Sequence, residues 1–191
     1  MPQMLVYARE MRLDAEENEA RILFAARHVF AEVGEKAPIT RVARRAGVSV
    51  ATVYRRFPTR DLLIADVHTR QWEECLAVHA ELLRGPDPER ALCELVHRLC
   101  ACQVSDKGYT KAYVDAVIAG RGLDRERLAT DRVVATLLSR AQAAGTLRPD
   151  LTVGDVRLVI AGNQGIITAA GPDAAAASRR YVTHMLRSFR F

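Results

Sequence analysis

From Asn18 to Val33 the apolar residues Ile22, Leu23, Ala26, Val29, Phe30 and Val33 recur at steps of three and four, and Gly34 follows them. That spacing lays one apolar stripe along an α-helix, and a glycine just past it supplies a natural C-terminal stop. The same period continues through most of the chain, and no convincing period-two alternation of a half-buried strand interrupts it. The expected fold class is therefore all-α, with a core made by packing helix on helix. At 191 residues the chain suits one medium domain or a small one joined to a larger one.

The helix boundaries after Gly34 are explicit. Pro38 opens the segment ITRVARRAG, in which Ile39, Val42, Ala43 and Ala46 share a side and Gly47 ends the run. A third helix is expected over Val50–Phe57. Pro58 and Thr59 mark the next start, with Thr59 as N-cap and Asp61 suited to the positive end of the helix dipole. The fourth helix is long, and its buried stripe reads through Leu62, Ala65, Thr69, Trp72, Leu76, His79 and Leu83 until Gly85-Pro86 breaks it.

Two short helices joined by a glycine-containing turn and braced by a longer one form a helix-turn-helix unit. Gly47 permits a tight, left-handed corner that a side chain would resist. Ser49 can cap the next helix, whose first turn is Val50, Ala51 and Thr52, the part of a recognition helix that points at base edges in the major groove. Small side chains there allow close approach. Thr52 offers a hydroxyl, and Val50 and Ala51 can touch thymine methyl groups.

The charge sits where that reading needs it. Of the formal net +5, residues 1–60 hold 11 Lys/Arg against 7 Asp/Glu, and residues 61–191 hold 17 against 16. Between Lys36 and Arg60 there are seven basic residues and no acidic one. A one-signed patch of this kind raises the local concentration of a polyanion, whereas a solvated basic face is the plainer alternative. Tyr54, Arg55, Arg56 and Arg60 are expected to meet phosphates on either side of the recognition helix.

At these residues the sequence resembles the DNA-binding region of the Tet-repressor (TetR) family of bacterial transcription regulators. The likeness covers about residues 18–68. It is carried by Val42-Ala43 through Ala46-Gly47-Val48-Ser49, by the Tyr54-x-x-Phe57 pair, and by a basic residue, Arg60, three positions after that Phe. Pro38, the Arg55-Arg56 pair and Arg60 itself depart from the residues many relatives carry there. The resemblance implies an all-α protein of about nine helices, a homodimer, and repression of a palindromic DNA operator relieved by a small-molecule effector. Thr40, near the start of the second helix beside Arg41, matches a position that reaches DNA in some members; an ordinary helix-surface role is equally open. The expected organisation is an N-terminal arm over 1–17, flexible or part-helical, a DNA-binding unit over 18–61, and an effector-binding and dimerisation unit over 62–191.

Over the rest of the chain the likeness is architectural. Leu92, Leu95, Val96 and Leu99 make one apolar face, and Tyr109–Ala119 and Asp124–Ala144 continue the pattern through Val134, Leu137, Leu138 and Ala141. These helices are expected to enclose the effector. Trp72, His97, Tyr109 and Tyr113 are the candidate effector-binding residues, because aromatics with polar tips suit a cavity for a mostly apolar or aromatic molecule; plain core is the competing role. Val153, Val156, Ile160, Asn163, Ile167 and Ala170 step along a later helix, and Ala174, Tyr181, Met185 and Phe189 along the last. Of these, Val156, Ile160, Asn163, Ile167, Tyr181, Met185 and Phe189 are the expected dimer seam, a four-helix interface between two copies, with packing inside one chain as the alternative.

Other classes find less support. There is no GxSxG, no phosphate-binding glycine loop and no HExxH, and Gly120-Arg121-Gly122 lacks the strand and third glycine of a dinucleotide site, so an enzyme is not expected and no cofactor is called for. Cys75, Cys93, Cys100 and Cys102 include no CxxC pair; buried core thiols are the expected role, and a thiol- or metal-responsive regulator is the variant reading, with no metal site assigned. A protein-interaction module that keeps a helix-turn-helix without specific DNA binding is the alternative from another class. No apolar run approaches the roughly 20 residues of a membrane helix, and the N-terminus has no secretion signal, so a cytoplasmic location without a membrane partner is expected.

Overall fold

The computed structural model describes residues 2–105 and 124–190, with side chains from 15 to 105 and from 127 to 190. All regular structure among them is helical: α1 (Pro2–Val33), α2 (Ile39–Ala46), α3 (Val50–Arg56), α4 (Arg60–Arg84), α5 (Pro88–Ser105), α6 (Asp124–Ala143), α7 (Val153–Ala170) and α8 (Ala174–Arg187), with a short 3₁₀ turn at Gly171–Asp173 between the last two. α1 thus takes in the segment 2–17 as the beginning of one continuous helix.

The chain divides into two compact units, Met1–Gln71 and Trp72–Phe191, and α4 contributes to both. In the first, Ile22, Leu23, Ala26, Val29 and Phe30 of α1 close over Ile39, Val42, Ala43 and Ala46 of α2, with Val53 and Phe57 completing the core. These are the stripes the spacing predicts for α1 and α2, except that Val33 remains exposed. The unit extends past residue 61 because Leu63 and Val67 of α4 are buried in the same core. The phase of α4 therefore differs from the expected stripe. Leu62 is 50% exposed, and Ala65 and Thr69 also face outward. Leu62, Leu63 and Ile64 are consecutive apolar residues, so helical period alone cannot choose among neighbouring phases; packing against α1 and α2 chooses Leu63 and its i+4 partner Val67.

The second unit has its own core, built from Leu92, Leu95, Val96 and Cys100 of α5, Val133, Val134, Leu137, Leu138 and Ala141 of α6, and Val156, Val159 and Ile160 of α7. Val182 and Leu186 of α8 and Phe189 beyond it seal the group. α7 opens with a reciprocal cap: the Asp155 amide donates to Thr152 Oγ1, and the Thr152 amide donates to Asp155 Oδ2 at 2.8 Å. The hydrogen bonds from Thr152 hold the Asp155 carboxyl below its ordinary pKa. Beyond α8 the chain is tied back by the Arg148 amide donating to the Phe189 carbonyl (3.0 Å) and by Arg190 Nε donating to Glu89 Oε1 (2.6 Å).

Burial in this second core corrects the expected dimer seam. Val156, Ile160, Asn163 and Phe189 are covered by their own chain and have no surface left for a partner. The buried face of α8 is Ser178, Val182 and Leu186, one residue out of phase with the Tyr181–Met185 stripe. Ile167, Tyr181 and Met185 are only partly covered. Asn163 instead ties α7 to α5: its amide donates to Gln103 Oε1 at 2.7 Å and to the Cys100 carbonyl at 3.3 Å, while Gln103 Nε2 donates to the Ile160 carbonyl at 3.1 Å.

Candidate nucleic-acid interface

The corner between α2 and α3 follows from three residues. Gly47 has φ 67° and ψ 34°, in the left-handed region, and its amide and that of Val48 close the end of α2 on Ala43 and Arg44 carbonyls. A Cβ at Gly47 would also stand 2.7 Å from a terminal nitrogen of Arg21, which donates to the Ala46 carbonyl at 2.7 Å. The cation thus sits at the negative end of α2, where it stabilises the helix dipole. Ser49 then caps α3: its Oγ accepts the Thr52 amide at 3.0 Å and lies 2.9 Å from Thr52 Oγ1. Thr59 caps α4 in the same manner, accepting the Leu62 amide at 3.2 Å.

This leaves one side of α3 open. Val53 is its buried residue; Ser49, Ala51, Tyr54, Arg55 and Arg56 are exposed, and Val50 and Thr52 half-buried. Thr40 and Arg41 of α2 are exposed as well. The small residues at the start of α3 thus lie on the surface of a helix anchored at both ends.

The basic residues fall into two groups. Lys36, Arg44 and Arg55 are exposed and make no ion pair with the described residues. The others are already engaged. Arg45 donates to Glu32 Oε1 at 2.5 Å and Arg41 stands 3.7 Å from Glu32 Oε2; the Arg45 hydrogen bond holds the Glu32 carboxyl below its ordinary pKa. Arg56 donates through Nε to Glu19 Oε2 (2.6 Å) and pairs with it again through a second nitrogen. Arg70 of α4 approaches the other oxygen of Glu19 at 3.8 Å. Arg60 donates from Nη1 to the carbonyls of Glu35 and Ala37, at 2.7 and 2.6 Å, bracing the α1–α2 turn against the start of α4. Sequence reasoning did not find Arg21, Glu19 or Glu32, since each acts across a gap of 13 to 37 residues. The one available signal was a polar residue on the α1 surface beside an apolar stripe.

In the second unit Trp72 and His97 are half-buried. Tyr109 and Tyr113 lie outside the described residues. Cys100 is buried, and burial pushes its thiol up to about 12, which leaves almost no thiolate at neutral pH. Among the described residues none of the four cysteines forms a disulfide, no group of three His, Cys, Asp or Glu side chains is placed to hold a metal ion, and no helix is long and apolar enough to cross a membrane.

Comparison with known proteins meets this geometry at both ends. Residues 22–67 match the family model of bacterial regulatory proteins of the tetR family, and residues 87–190 match the C-terminal domain of SbtR-like transcriptional regulators. A TetR transcriptional regulator from Streptomyces coelicolor is 31% identical with a TM-score of 0.68, over 90% of this chain and 98% of that one. A TetR regulatory protein from Mycobacterium vanbaalenii is 30% identical with a TM-score of 0.66, over 95% and 99%. The fold is shared with the transcriptional regulator FadR of Bacillus subtilis in complex with stearoyl-CoA, at 16% identity and a TM-score of 0.56 over 87% and 97%. No curated protein sequence matches the chain.

Proposed function

The chain belongs to the TetR family of bacterial regulatory proteins and is a DNA-binding transcriptional regulator, and we propose that it is a homodimeric repressor whose α3 reads a palindromic operator until a mostly apolar small molecule releases it. The observation that carries the DNA half is the open first turn of α3, with Ala51 exposed and Val50 and Thr52 half-buried behind the Gly47–Ser49 corner. Val50, Ala51 and Thr52 read bases. Arg55, Arg44 and Lys36, which have no internal carboxylate partner among the described residues, meet phosphates. Tyr54, Ser49, Thr40 and Arg41 border the same face. Arg56 and Arg60 serve the interface mainly by holding α3 and the α1–α2 turn in place, since their guanidinium groups are already bonded within the unit.

A dimer supplies two reading helices roughly 34–36 Å apart on a two-fold site. The face of α7 left free by the core carries Leu158, 70% exposed, with Gly165 two turns on, where a Cβ would meet nothing, and the open space there lets a second helix approach closely. α4 enters both units, so a displacement of its second half by an effector is carried into the head. The effector must bind the released state more tightly than the DNA-bound one for this shift to occur. The stearoyl-CoA complex of FadR supports a long apolar ligand as compatible with such a fold.

The test is a gel-shift titration on DNA flanking the protein's own coding region, against scrambled duplex. Arg55→Ala should weaken binding to all duplexes alike and flatten the log-log salt slope by about 0.9. Thr52→Ala should reduce discrimination with the salt slope intact. Leu158→Arg should give a monomer by light scattering and lose operator affinity. Equal affinity for operator and scrambled DNA would rule out specific repression.

A further inference from the structure

Trp72 and His79 lie two turns apart on α4, inside the second unit, with their rings edge-on and the centroids 6.3 Å apart. Trp72 Nε1 and His79 Nδ1 are both buried and neither has a hydrogen-bond partner; His79 as a whole is 5% exposed. An unmet buried donor costs about 1–3 kcal/mol, so two adjoining ones are a feature that packing alone does not favour. The same unit satisfies other amides over long stretches of sequence: Gln142 donates to the Arg148 and Leu151 carbonyls, and Gln103 and Asn163 bond each other across α5 and α7. Asn163 Oδ1 and Gln164 Oε1 are unmet as well, but those side chains belong to α7, whereas Trp72 and His79 set two unmet ring nitrogens beside each other on one helix.

Their chemistry restricts what could meet them. An indole N–H only donates, so its partner is an acceptor; a neutral imidazole nitrogen donates or accepts. Burial alone lowers the His79 pKa, with no charged neighbour contributing, so the ring is neutral at pH 7. Neither ring carries an ion pair or a cation–π contact among the described residues, and an indole beside a neutral imidazole presents no full charge to a carboxylate or an ammonium group.

We propose that Trp72 and His79 form the polar end of the effector site, and that the effector presents an uncharged carbonyl group, as in an ester, ketone or amide, on an apolar body. The carbonyl oxygen accepts the Trp72 N–H on one lone pair, and His79 Nδ1, in its N–H tautomer, donates to the other. The inference rests on the effector-released reading above and names the ligand class for it.

Trp72 is the single tryptophan of the chain, so its emission reports the site directly. Full-length protein excited at 295 nm is titrated with methyl octanoate, 2-nonanone, sodium octanoate and octylamine. The expected result is a saturable change in Trp72 emission with the two neutral carbonyl probes, at least about tenfold tighter than with the carboxylate or the amine. His79→Phe should weaken methyl octanoate roughly tenfold, about one hydrogen bond. Trp72→Phe, which removes the N–H and keeps the ring, should do the same by thermal shift, so the proposal does not depend on one variant folding. Equal affinity for the four probes, no emission change with either carbonyl probe, or affinities indifferent to both substitutions would overturn it. A gel-shift in the same samples separates the two ideas: specific DNA binding with no probe response sinks the ligand class alone, whereas absent specific DNA binding sinks the repressor reading.

Discussion

The α2–α3 corner and the α5–α7 seam solve the same problem, how to satisfy backbone and amide groups where helices meet, by opposite means. At the corner each requirement is met mostly within a few residues: Gly47 takes the left-handed bend, Ser49 caps Thr52, and Val48 closes on Ala43. In the seam the partners lie 57 to 63 residues apart, Gln103 with Ile160 and Asn163 with Gln103 and Cys100. Local solutions leave a motif in the sequence, whereas distant ones leave only a buried amide whose partner is named by the fold.

The steepest break of that contrast is Leu137→Ala. Leu137 is fully buried among α5, α6 and α7, and its truncation should cost about 2–5 kcal/mol, read as a lowered midpoint of urea unfolding by circular dichroism. Next comes Asn163→Ala, which strands Gln103 in the core and should cost about 1–3 kcal/mol in the same assay. Replacing both amides by Leu should recover much of the loss, and no recovery would mean that the pair is not the reason Asn163 is buried. Gly47→Ala probes the other side of the comparison. A left-handed non-glycine residue costs about 1–2 kcal/mol, and the new Cβ displaces the end of the flexible Arg21 side chain, so stability should fall modestly and operator affinity with it. Unchanged stability would show that the corner relaxes.

The smallest expected effect is a pH dependence. Burial holds the His79 pKa below that of the unfolded chain, so between the unfolded value near 6.5 and the lower folded one the unfolded state binds more protons. The stability linked to neutral His79 is present above about pH 6.5 and declines as pH falls. His79→Phe should flatten that part of the profile when urea midpoints at pH 7.5, 6.5 and 5.5 are compared with the unsubstituted protein, and parallel profiles would mean that His79 titrates normally.

How much of this was legible varied with the kind of signal. The apolar positions of α2, Ile39, Val42, Ala43 and Ala46, are all buried, as their spacing predicts, and so are Val134, Leu137, Leu138 and Ala141 of α6. Phase failed where apolar residues were consecutive. Leu62 and Leu63 could not be told apart by period, nor Tyr181 from Val182. The stripe through Val156, Ile160 and Asn163 was found correctly but assigned to a partner, because a buried face looks the same in sequence whichever chain covers it. The arginines posed a similar ambiguity. Arg55 and Arg56 are adjacent and alike, yet Glu19, 37 residues before Arg56, engages only one of them.

Period, glycine and cap were enough, within the sequence alone, to settle that this chain is all-helical and where α2, α3 and α4 start and stop, because those features act over one turn and depend on residues a few positions apart. The tertiary structure decided which of two neighbouring leucines went inside, which arginines were left unpaired toward solvent, and which indole and imidazole nitrogens were shut away from water. Those outcomes depend on contacts across tens of residues, and a linear pattern carries no distance between them.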